Sequence, residues 1–160
     1  MTAVLVFVVL LLVLAGAGAA AVVSGQRARY HKANQVVPGL PSRAPAAWAG
    51  AHTTEAKLHR RLRDAIAAMR ANPAVKDGWA IDSRVALEHH ALAVDDRLVA
   101  VAALPEPVRA QPLAAVADAV AAVEAAVASL AASGPELGGQ DGLYRAMAEV
   151  QASVAQLGEG

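Results

Sequence analysis

The sequence predicts an all-α chain: one N-terminal transmembrane helix followed by a small antiparallel bundle of three to four helices. Three observations carry this. The first 23 residues hold an uncharged run long enough to cross a bilayer. About a quarter of the 160 residues are alanine, the strongest helix former. After Thr53 the larger apolar residues recur at spacings of three and four, the period of a helix face. The expected units are an anchor over 1–25, a proline-containing connector over 26–53 and a helical bundle over 54–160.

Composition narrows the function before any motif is read. The chain is 56% hydrophobic and 3% aromatic, with no cysteine. No disulfide, thiolate metal site or cysteine nucleophile is available. The formal net charge is zero, but it is unevenly spread. About ten of the 14 Lys and Arg precede Asp77, and about twelve of the 14 Asp and Glu lie from Asp77 onward. A nucleic-acid binder is expected to be net basic with aromatics for stacking. This chain is neither, so nucleic acid is not an expected partner.

Thr2 to Val23 reads TAVLVFVVLLLVLAGAGAAAVV, about 22 residues without a charge, against the roughly 20 that a spanning helix needs. Within hydrocarbon only a helix satisfies its own backbone, so the valines do not oppose this. A cleaved signal peptide is the rival reading, with Ala15-Gly16-Ala17 as an A-x-A site. Against it, no Lys or Arg leads the run, and apolar residues continue past that site. Arg27, Arg29, Lys32 and Arg43 follow the run. The positive-inside bias therefore expects a cell-membrane protein with its N-terminus outside and its bundle in the cytoplasm. Ala15, Gly16, Ala17, Gly18, Ala19 and Ala21 form a small-residue end suited to close helix packing in lipid. Integral membrane proteins are the expected partners.

In the connector, Pro38, Gly39, Pro41 and Pro45 exclude a long helix. Val36, Val37, Leu40 and Trp48 would gain by burial, so the segment is expected to lie on the bundle or on a partner.

Four amphipathic helices are expected beyond it. The first runs from about Thr54 to Ala71, with Thr53 or Thr54 as N-cap and Asn72-Pro73 as stop; Leu58, Leu62, Ala65 and Met69 form its apolar face. The second runs from about Trp79 to Ala103. It carries two stripes, Leu87–Ala91–Val94–Leu98–Val101 and Ile81–Val85–Leu92–Val99, which expects a central position. The third runs from Val108 or Pro112 to Ala132, with Leu113, Val116, Val120, Val123, Val127 and Leu130 as a heptad-like seam. It is apolar enough to resemble a second span, but Asp118 and Glu124 in its middle would be costly in lipid. The fourth runs from about Gly142 to Leu157, with Asp141 as cap and Gly138 to Gly142 as a loop.

The heptapeptide LHRRLRD, Leu58 to Asp64, is the most concentrated charge in the chain. With Leu58 and Leu62 inward, Lys57, Arg60, Arg63 and Asp64 point outward, and His59 and Arg61 flank the stripe. None needs burial on this reading. Arg60–Asp64 and Glu55–His59 are spaced for ion pairs. Lys57, Arg60, Arg61 and Arg63 are candidate electrostatic contacts, either with acidic residues of the later helices or a partner, or with anionic lipid near the anchor. Arg84, Glu88 and Asp95 lie between the two stripes of the second helix. They form either a simple rim with an Arg84–Glu88 pair or a partly buried row reaching Arg61 or His59.

No catalytic constellation is present: no HExxH, no phosphate loop ending in GK[ST], no GxSxG. His89 and His90 are adjacent and diverge on a helix. A non-enzymatic chain is expected, with no cofactor, no metal site and no small-molecule substrate. The alanine-rich composition, the anchor ending in small residues and the helical domain together resemble the small single-span accessory subunits of actinobacterial respiratory cytochrome supercomplexes. That resemblance implies a structural role beside redox subunits. Two other readings stay open: a membrane-tethered adaptor or regulator that recruits a soluble partner, and a secreted helical protein after signal cleavage.

Overall fold

The computed structural model describes residues 34–76, 78–133 and 137–159. The expected span and its small-residue end, Ala15 to Ala21, lie outside these. Among the described residues there are four α-helices and no strand: α1 (Thr54–Ala71), α2 (Ile81–Ala102), α3 (Glu106–Ala132) and α4 (Leu137–Glu159). Short 3-10 turns at Ala46–Ala49, Pro73–Lys76 and Gly78–Ala80 fill the connections.

Ion pairs fix the helix directions. His59 and Arg70 of α1 meet Asp95 and Glu88 of α2, so these helices run antiparallel. Glu55 and Arg61 meet Arg109 and Glu124 of α3, so α1 and α3 run parallel. Each of α2 and α3 packs against all three other helices.

α1 begins where Thr53 accepts a hydrogen bond from the Ala56 amide at 3.3 Å and stops at Asn72, ahead of Pro73. α3 starts with Glu106 and Pro107 in its first turn, where a missing N–H is tolerated. Pro112 lies inside the helix and removes one intrahelical bond. By length and mean hydropathy, 1.8, α3 could cross a membrane. Its apolar residues are used within the bundle: Val116, Ala119, Val120, Val123, Ala126 and Leu130 are all fully buried.

Three expectations are corrected. In α2 only the Leu87–Ala91–Val94–Leu98–Val101 stripe is buried. Ile81 and Val85 are exposed at the end where α2 emerges from the 3-10 turn, and Leu92 and Val99 are partly buried. α2 is central nonetheless: it packs against all three other helices, and Asp95 lies on the same buried line as Ala91 and Leu98. α4 begins at Leu137, so Gly138 to Gly142 is helix rather than loop and Asp141 is not its cap. Packing of Leu143, Val150 and Leu157 outweighs the roughly 1 kcal/mol that each helical glycine costs. Ala122, off the seam by spacing, is buried too, because α3 has neighbours on three sides.

The connector belongs to the same core. Val36, Val37, Ala44 and Trp48 are buried against the helices, whereas Leu40 is exposed on the turn at Gly39, whose positive φ of 93° suits glycine.

Candidate functional site

The strongest polar constellation lies where the connector crosses α1 and α2. His59 and Asp95 are almost completely removed from solvent, with Nδ1 and Oδ1 2.7 Å apart. A carboxylate only accepts, so Nδ1 carries the proton. Ser42 of the connector donates its hydroxyl to the second oxygen, Oδ2, at 2.7 Å, and its Oγ accepts from the Ala44 amide at 3.0 Å. The Trp48 ring stands edge-on to the imidazole with centroids 5.6 Å apart. His59 Nε2 is buried without a hydrogen-bond partner.

Serine, histidine and aspartate are the residues of a hydrolytic triad, but the order here differs. A triad places the serine hydroxyl on the imidazole and the carboxylate behind it. Here the carboxylate is in the middle and Ser42 does not reach the ring. With His59 at 0% exposure, its free nitrogen faces protein rather than substrate. The chemistry this arrangement performs is attachment: it ties the connector, α1 and α2 through one buried carboxylate.

The arginines of α1 extend the attachment. Arg60 Nη1 donates to the Trp48 and Ala51 carbonyls at 3.0 and 2.7 Å, satisfying oxygens at the end of the 3-10 turn. Arg70 Nη1 donates to the Pro38 carbonyl at 3.3 Å. Asn34 Nδ2 donates to the Pro45 carbonyl at 2.8 Å, folding the connector's start back on itself.

Other charges hold the helices to one another. Arg61 grips Glu124 of α3 through two hydrogen bonds of 2.9 and 2.6 Å, and that bond raises the arginine's hold on its proton. Arg109 donates to Glu55 at 3.1 Å and to the Leu104 carbonyl. Glu55 has its carboxyl lowered below the usual range. Its own backbone amide is the main cause, burial opposes it, and Arg109 and Thr53 add to the lowering. Glu88 lies 3.5 Å from Arg70 and 3.8 Å from Arg84. Beside the Arg61–Glu124 bridge, α1 and α3 leave an open groove of about 490 Å³ floored by Met69 and Val127 and edged by Ala65, Ala68, Ala128 and Ala131.

Neither a family model, nor a curated protein, nor a solved structure matches this chain.

The four candidate contacts thus separate. Lys57 is exposed, with no ion pair among the described residues. Arg60 and Arg61 are engaged within the chain, and Arg63 meets the neighbouring Asp64 at 2.8 Å. Asp64 therefore pairs with Arg63 rather than Arg60, and Glu55 with Arg109 rather than His59. Both readings of the Arg84–Glu88–Asp95 line hold in part: the rim pair exists, and Asp95 reaches His59. His89 and His90 rings lie 6.4 Å apart at 65°. Sequence reasoning missed Ser42, Asn34 and Arg109, which stand in or beside proline-rich turns with no periodic signal.

Proposed function

We propose that this chain is a single-pass membrane protein whose bundle faces the cytoplasm and acts by binding, as an accessory or scaffolding subunit of a larger membrane assembly. The observation that best supports this is how soon the chain becomes fixed after its apolar run. The apolar run ends at Val23, and from Asn34 on the connector is already bonded to itself and the bundle. Ten residues intervene, a reach of at most about 35 Å. An adaptor that searches for a soluble partner gains from a long loose tether. A subunit with one place in an assembly gains from a short one ending in a fixed clasp. The cationic flank Arg27, Arg29, Lys32 supports the cytoplasmic side. The resemblance in layout to accessory subunits of respiratory supercomplexes makes a respiratory assembly the one to look for.

Purification of the full chain from its native membrane in mild detergent tests this. Stable co-purification with polytopic membrane proteins is expected. Recovery of the chain alone, or with a soluble partner only, would favour the tethered adaptor. Recovery in the extracellular fluid, with the apolar run removed, would favour the secreted reading.

A further inference from the structure

Leu40, Ile81 and Val85 are large aliphatic side chains left exposed. The Arg70 guanidinium brings them together. It donates to the Pro38 carbonyl at 3.3 Å, in the turn that the Val37–Leu40 backbone bond closes, and lies 3.5 Å from Glu88 of α2. Arg84 reaches the same Glu88 at 3.8 Å. Ile81, Arg84, Val85 and Glu88 are spaced three and four apart, so they share one face of α2, and the turn carrying Leu40 abuts it. Two arginines share one carboxylate there, which leaves a net positive charge among three aliphatic side chains. Asp82 lies about 100° round the helix from Ile81, beyond Val85 and away from the arginines. The chain also joins the bundle at this end: the Gln35 side chain accepts from the Gly39 amide at 3.0 Å, so the start of the described connector lies against the Leu40 turn.

We propose that this end of the bundle rests on the anionic face of the bilayer that the N-terminal run enters, with Leu40, Ile81 and Val85 in the headgroup boundary and Arg70 and Arg84 turned to lipid phosphates. The inference depends on the anchor reading above. Three arguments select lipid. Aliphatic side chains interleaved with arginines suit the interface of an anionic leaflet, where an arginine lays its stem along apolar surface and keeps its head among polar groups. Three exposed side chains fall well short of the roughly 800 Å² a side of a stable protein interface. Lipid contact needs no such area, because an anchor ending ten residues before Asn34 makes the encounter intramolecular. Val108, also exposed, is the internal control. It stands at the start of α3 beside Arg109, which meets Glu55 in the first turn of α1. From Glu55 to Arg70 the helix rises about 22 Å, so Val108 belongs to the opposite end.

The chain has no cysteine, so single spin labels on Leu40→Cys, Val85→Cys and Val108→Cys test this in the full chain, reconstituted into vesicles of mixed phosphatidylcholine and phosphatidylserine. Flotation with the vesicles after an alkaline wash first checks the anchor. Collision of each label with oxygen, which concentrates in lipid, is then compared with collision with a water-soluble nickel chelate. The oxygen preference at 40 and 85 should exceed that at 108 several-fold and fall in high salt or in vesicles of phosphatidylcholine alone. Ile81→Asp changes an exposed first-turn position where an acid suits the helix dipole, so the fold persists. It should nevertheless bring the label at 40 down to the level at 108. If the chain floats but the labels at 40 and 85 meet nickel as freely as the one at 108, the proposal is overturned and the anchor reading stands. It is equally overturned if the preference survives Ile81→Asp, or if it arises only when native polytopic proteins are added, which assigns the patch to a protein partner. A chain that fails to float overturns both readings.

Discussion

His59 Nδ1 and Asp95 Oδ1 sit 2.7 Å apart with both side chains out of solvent, so one buried carboxylate joins α1 to α2. Ser42 makes the same carboxylate the attachment point of the connector. Removing one partner of such a pair leaves the other unsatisfied. Asp95→Ala should therefore lose about 3–5 kcal/mol, since it strands both the His59 proton and the Ser42 hydroxyl. Ser42→Ala removes the bond to Asp95 and the one from the Ala44 amide, and should lose about 1–2 kcal/mol. Equilibrium unfolding in denaturant measures both. The double variant should lose less than the sum, because the Ser42 hydroxyl proton has no carboxylate to meet once Asp95 is gone. Strict additivity would mean that the Ser42 contact does not contribute through Asp95.

The helical architecture was legible because period carries it. The heptad-like seam of α3 and the Leu87–Val101 stripe of α2 are buried at nearly every position. The polar attachment was less legible, and His59 shows why. Reading inward from Leu58 and Leu62 places His59 at the edge of the stripe. The buried face centres on His59, Leu62, Ile66 and Met69 instead, spaced three, four and three. A histidine at the head of a regular apolar series is a signal for a buried, partnered imidazole. Its partner was visible too: Asp95 lies four residues after Ala91 and three before Leu98, on the buried line of α2. What the sequence could not supply was Ser42, because a connector has no period to say which of its polar groups turns inward. α4 was misread from the opposite side. Its glycines argue locally for a loop, but the decisive term is packing against α3.

Val123 is fully buried in mid-seam of α3, whereas Ala121 on the same helix is exposed. Val123→Asp should bury a carboxylate without a partner or break the helix contact, at a cost of roughly 2–4 kcal/mol. Ala121→Asp should shift stability only slightly, and Ala122→Asp, buried on a second side of the helix, should resemble Val123→Asp. Thermal melting of the three variants checks this ordering. Equal shifts for Val123→Asp and Ala121→Asp would be incompatible with the packing of α3.

Two groups give stability an acid dependence in separate windows. Burial, then the neighbouring His89, lowers the His90 pKa below its ordinary value. The folded state thus binds that proton less readily than the unfolded chain. The stability this represents is present above the unfolded value of about 6.5 and is lost as pH falls through the folded pKa. Glu55, lowered chiefly by its own backbone amide, behaves likewise at more acid pH. Its contribution is present above the ordinary glutamate value of about 4.3 and disappears below the lowered one. His90→Gln should flatten the stability profile below about pH 6.5, and Glu55→Gln should flatten only its more acid limb. Unfolding midpoints over this pH range separate the two, and a change of slope in the other window would reverse the assignment.

If the N-terminal run only tethers the bundle, its sequence should matter little while it stays apolar and long. If it packs against a partner's helix, the small-residue end should not tolerate bulk. Ala17→Leu and Gly18→Leu raise hydrophobicity, so membrane insertion should persist. They also hold helix backbones apart and remove the close packing that drives association in lipid. Normal insertion with loss of co-purifying membrane proteins is therefore expected, while Val8→Leu should have no effect. A control for the basic face must avoid the residues that hold the fold together: Arg60 bonds the Trp48 and Ala51 carbonyls, and Arg61 grips Glu124. Lys57 is exposed, so Lys57→Glu probes the outward face without loosening the connector. A contact with an acidic surface or anionic lipid through this face should weaken in that variant and depend on salt. If both small-end variants keep every co-purifying protein while Lys57→Glu releases them, the run is a passive tether and recognition belongs to the face of LHRRLRD.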